Sequence, residues 1–115
     1  MSELREPYMI LKVSIDGQSY QLTVPDFMLN EADEMFNKMD VDMSKGWQMG
    51  REWVADPSTK ERCQIAADRM RTAIEAENQN LATMMAAYIL KRMPAAKEVI
   101  YDDEGDVMQT EIYIG

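Results

Sequence analysis

Between Tyr8 and Pro25 apolar and polar side chains alternate with the two-residue period of a β-strand. Met9, Leu11, Val13 and Ile15 take one set of positions, and Ile10, Lys12 and Ser14 take the other. Asp16-Gly17 supplies a tight turn tolerant of positive φ. Tyr20, Leu22 and Val24 then resume the alternation against Ser19, Gln21 and Thr23. The pattern predicts an N-terminal β-hairpin, dry on one face and wet on the other, that Pro25 closes.

Beyond the hairpin the period lengthens. Ala32, Met35, Phe36 and Met39 share a helical face, with Asn30 as a cap and Glu31, Asp33 and Glu34 at the positive end of the dipole. A short helix from Asn30 to Met39 is expected. The clearest start signal comes later, in ADPSTKE. There Asp56 can cap with Pro57 in the first turn, or Ser58 and Glu61 can form a capping box. From that point Cys63, Ala67, Met70, Ile74, Glu77, Leu81, Met84 and Tyr88 recur at alternating intervals of four and three.

An unbroken helix over residues 57–93 would be about 55 Å long, at ~1.5 Å per residue. A globule of this length should be roughly 35 Å across. A break at ENQN, with Asn80 capping a second helix, is therefore favoured, and one long dimerising helix is the alternative. Pro94 ends the helical region. Lys97 to Tyr101, the acidic turn DDEGD and Val107 to Ile114 read as a second hairpin. In it Met108, Thr110, Ile112 and Ile114 occupy one face, and Gln109, Glu111 and Tyr113 the other. Residues 1–115 are thus expected to form a single small α+β domain: β-hairpin, two to three helices, β-hairpin, with one antiparallel sheet packed on the helices.

The stretch MDVDMSKGWQMGREWV, Met39 to Val54, follows neither period. Counted from Asp40 as the first position, it puts Asp42 third, Ser44 fifth and Trp47 eighth, after the apolar Phe36 and Met39. In this it resembles an EF-hand calcium loop. The resemblance implies a Ca²⁺ site built from Asp40, Asp42, Ser44 and Glu52. Lys45 stands at the sixth place, where the loop requires glycine, and Gly46 follows one residue late. Arg51 likewise holds the twelfth place, with Glu52 one late. Trp47, Met49 and Trp53 offer a different use of the same stretch: tryptophan and methionine are enriched where proteins meet. Both rings could instead fold back to cap the core.

Composition narrows the chemistry. Among 115 residues there are 21 acidic and 12 basic side chains, a net charge of −9. Such a surface repels phosphate backbones and anionic lipid, so neither nucleic acid nor membrane is expected as a partner. The absence of histidine removes imidazole catalysis and imidazole metal ligands. The single Cys63 allows no internal disulfide, and its place in the apolar seam makes it a buried hydrophobe rather than a reactive thiol.

Most of the twelve methionines coincide with predicted core faces, among them Met70 and Met84 in the seam and Met85 and Met93 beside it, although Met35, Met39 and Met43 could present soft ligands to Cu(I). Asp102, Asp103, Glu104 and Asp106 read as a solvated hairpin tip. No run approaches the ~20 apolar residues of a membrane span. MSELREPYM has no basic region followed by an apolar one, so a cytoplasmic location is expected. No catalytic motif and no cofactor motif is found. The expectation is a non-catalytic, self-associating protein-interaction module, a homodimer with an unidentified protein partner. The alternative is a Ca²⁺ module using the loop at 40–52.

Overall fold

The computed structural model describes residues 8–115. Residues 1–7, which bear on the expectation about a secretory signal, lie outside that range. Strands β1 (Tyr8–Ile15) and β2 (Gln18–Pro25) form the expected hairpin. Asp16 and Gly17 both have positive φ, 51° and 80°, the type I′ geometry that matches strand twist. Leu11, Val13, Ile15, Leu22 and Val24 are buried as the alternation predicts.

Helices α1 (Asp26–Glu31) and α2 (Asp33–Ser44) follow, then α3 (Thr59–Glu75) and α4 (Gln79–Arg92). Asn30 is not a cap: it lies inside α1, and α2 runs five residues past Met39 to Ser44. The reason is a longer apolar stripe than expected, since Phe36, Met39 and Met43 are all buried. The copper alternative loses its ligands to the same packing, because Met39 and Met43 belong to the core.

The long seam breaks where the polar tract predicted. Asn78 N–H donates to Ala73 O at 2.8 Å and Glu77 N–H to Ile74 O at 3.0 Å, the paired bonds of a Schellman stop. Glu77 adopts φ 58° to make them. Asn78, rather than Asn80, then caps α4 by accepting from Leu81 N–H. At the other end Ser58 and Glu61 form the reciprocal capping box of α3. Folded back in this way, α3 and α4 pack on each other, so the alternative of one long helix over 57–93 does not hold.

The main sheet runs in the order β2-β1-β5-β6, with β5 at Ala96–Ile100 and β6 at Glu111–Ile114. The fold is α+β, as expected, and the sheet is mostly antiparallel. Its central pair departs from the expectation: β1 and β5 are parallel. Two hairpins can join either way, and the helical layer between them acts as a crossover that returns the chain in the original direction. The C-terminal strand is also shorter than predicted. Val107–Gln109 is a 3₁₀ turn, and Thr110 turns inward while Ile114 stays exposed.

Two buried polar groups join α3 to this C-terminal region. Gln64 Nε2 donates to Met108 O at 3.1 Å and to Thr110 O at 2.9 Å. The Tyr101 hydroxyl donates to Ala67 O. Cys63 is fully buried, and burial pushes its thiol up to about 12 despite the nearby Arg92 charge.

The left-handed Glu77 carries a strain that glycine would not. Glu77→Gly should therefore raise stability by about 1 kcal/mol, read as a higher midpoint in urea with an unchanged m-value.

Candidate functional site

The segment that follows no simple period does have regular structure. Helix α2 carries Asp40, Asp42 and Ser44, and the chain then turns at Gly46 into a small ribbon of its own. The ribbon is β3 (Trp47–Met49) paired antiparallel with β4 (Glu52–Val54). Gly50 opens its two-residue turn with φ 66°.

There is accordingly no loop at 40–52. Asp40, Asp42 and Ser44 are spread along a helix, and Glu52 stands on a strand beyond it. Helical hydrogen bonding uses the backbone that an EF-hand would bend around the ion. Asp42 pairs with Lys38 Nζ at 3.3 Å, and Ser44 Oγ donates to Val41 O at 2.7 Å. Among the described residues no three of His, Cys, Asp and Glu gather in a way that could hold a metal ion.

Asp40 instead ties three helices together. Its carboxylate accepts from Tyr88 Oη at 2.5 Å, from Arg92 Nε at 3.0 Å and from Arg92 Nη2 at 2.6 Å. Arg62 Nη1 lies 3.4 Å away, and Arg62 Nη2 reaches Asp56 at 2.9 Å. Arg92 also stacks over the Tyr88 ring, 5.2 Å from its centroid. Partial burial alone would raise the Asp40 pKa, but the Tyr88 hydroxyl and the two guanidinium groups outweigh it and hold the carboxyl below its usual value. Tyr88, fully buried, moves the opposite way: desolvation and the Asp40 carboxylate both favour its neutral form.

The structure does not bring Trp47, Met49 and Trp53 onto one surface. Strand alternation puts Trp47 and Met49 on the inner face of the ribbon, where Met49 is buried and Trp47 half-buried. Trp53 pairs with Gln48 on the outer face and is 62% exposed. Its inner ring atoms lie over Gly46, where an added methyl group would collide with them. The glycine is thus the seat on which the ring rests, and the ring's other face meets solvent.

At the ribbon's tip, Met49, Gly50, Arg51 and Glu52 line an open cleft of about 530 Å³ with Glu104, Asp106 and Met108. The acidic tract read as a solvated tip therefore forms one wall of a concavity. Asp106 remains occupied in part as a cap, accepting from Met108 N–H at 3.0 Å. The cleft suits a cationic side chain better than an anion, with Arg51 the one basic wall residue among the described residues. Sequence order separates Glu52 from Glu104 and Asp106, and the density of acidic residues was the sole signal for the cleft.

No known protein family, curated protein or solved structure matches the chain. No helix among the described residues is long and apolar enough to cross a membrane.

Removing the Asp40 charge leaves Arg62 and Arg92 without their shared partner. Asp40→Asn should cost about 2 kcal/mol at pH 7. A carboxyl with a lowered native pKa stabilises above its unfolded value near ~3.9 and loses that contribution as pH falls through the native value. Urea titrations should therefore show the wild-type advantage over Asp40→Asn shrinking below about pH 4.

Proposed function

We propose that the chain is a non-catalytic interaction module that meets a protein partner through Trp53. The observation that carries this reading is the ring itself: an indole exposed to 62% yet seated on Gly46 at the end of α2. A large aromatic held in one place binds at little entropic cost, which is why tryptophan is common among binding hot spots. The ribbon that carries it stands outside the main sheet, so the partner can approach without opening the core.

Charge narrows the partner. At −9 the chain repels acidic surfaces and attracts basic ones. The cleft at the tip of the same ribbon, with Glu52, Glu104 and Asp106, favours a partner that brings a lysine or arginine near the indole contact. The calcium alternative lacks comparable support, because its four ligands do not share a loop.

A photo-crosslinking side chain at position 53 should capture a protein in the source cells, while the same group at the exposed Lys60 should not. Trp53→Ala should leave stability within about 1 kcal/mol. A loss of ~3–5 kcal/mol would make the ring a core element and remove the basis for the proposal.

A further inference from the structure

The outer edge of β2 is the longest unpaired feature of the sheet. β2 has eight residues and β1 on one side only. The two-residue turn makes Ile15 and Gln18 a hydrogen-bonded pair, so Gln18, Tyr20, Leu22 and Val24 bond to β1. The N–H and C=O groups of Ser19, Gln21 and Thr23 therefore point away from the sheet. Among the described residues no turn, loop or helix backbone bonds to them.

Protein edges of this kind are ordinarily blunted by lysine, a bulge or brevity. The opposite edge strand, β6, is four residues long, carries Glu111 and pairs across a bulged register. β2, QSYQLTVP, has no charged residue in a chain of net charge −9. Two copies carry like net charge, and along this strand no charged side chain opposes its counterpart in a second copy.

We propose that β2 pairs antiparallel with β2 of a second copy about a two-fold axis at Gln21. This register joins every outward residue: Gln21 faces Gln21 of the second copy, and Ser19 faces its Thr23. It leaves Pro25, which lacks an N–H, outside the ladder. About six backbone hydrogen bonds form, and the main sheet continues from one copy into the next.

Side chains fit the same register. On the helix-facing side Tyr20, 40% exposed, comes opposite Leu22 of the second copy. A groove of about 320 Å³ lies there, its lining including Tyr20, Leu22, Ala73, Ile74, Glu77 and Asn78. The tyrosine of the second copy caps this groove, so apolar burial accompanies the backbone pairing. On the other side Ser19 and Thr23 bring hydroxyls together across the axis. This interface is separate from the Trp53 surface, and either can fail without the other.

Sedimentation equilibrium at micromolar to high-micromolar concentration tests the inference. The wild type should dimerise, more tightly as salt screens the −9 charges. Gln21→Pro removes an N–H that β1 does not use, so it should keep its thermal unfolding and weaken dimerisation at least about tenfold. Gln21→Lys and Gln21→Glu should each weaken it too, and a mixture of the two should recover it, because position 21 faces itself across the axis. Trp53→Ala should dimerise like the wild type. A monomeric wild type would overturn the proposal, as would undiminished dimerisation of Gln21→Pro or a charge-swapped mixture no tighter than its components. So would a dimer that weakens with salt or is lost in Trp53→Ala.

Discussion

The reversal at Glu77 and Asn78 determines what the helical half of the chain becomes. A right-handed continuation would have run the seam out past the body of the protein, with its apolar stripe facing water or another chain. One residue at φ 58° and the two hydrogen bonds of the helix stop send α4 back along α3. The stripe then closes on itself, and Met70, Met85 and Tyr88 are lost from solvent entirely. The resulting layer covers one face of the sheet. It also sets the path by which β5 enters beside β1, parallel to it.

Asp40 secures that layer from the side. Helix α2 contributes apolar contact through Phe36, whose ring meets the Tyr88 ring edge-on at 5.7 Å. Hydrophobic contact alone is tolerant of sliding. A carboxylate bonded to Tyr88 and Arg92 is not, because each bond fixes a direction. The end of α2 is thereby held, Gly46 is held with it, and the ribbon carrying Trp53 starts from a defined point. Asp40, the first position of the stretch that resembled a calcium loop, acts in the structure as a fastening between helices.

Electrostatics and edge geometry together decide which parts of the surface remain open to other molecules. Against a net charge of −9 stand the exposed indole of Trp53 and the uncharged strand β2, which belong to separate sheets. Neither depends on chemistry of the kind an active site needs, and both depend on rigid backbone beneath them. The chain has no histidine, and its one cysteine is fully buried.

Local pattern was enough for the features whose cause is local. The two-residue period and Asp16-Gly17 specify the first hairpin, because strand alternation and turn geometry need only neighbouring residues. Ser58 with Glu61 specifies the start of α3 for the same reason, and the polar tract at Glu77–Asn80 marks the helix break within two residues of the observed cap. Site features were less legible. Trp53 could be singled out as unusual, but Met49, on the neighbouring strand of the same ribbon, has the opposite fate, buried against the core. The length of α2, and with it the exclusion of a loop at Asp40, depended on whether Met43 found a core to enter. The parallel β1–β5 pair, the meeting of Gly50 with the acidic 102–106 turn and the Asp40 junction join residues far apart in the chain. Sequence alone determined the first hairpin, the start of α3 and the break between α3 and α4, since backbone preference and capping act over a few residues. Only the tertiary structure decided which of them face one another, since that is set by shared burial of surfaces that no single segment can cover.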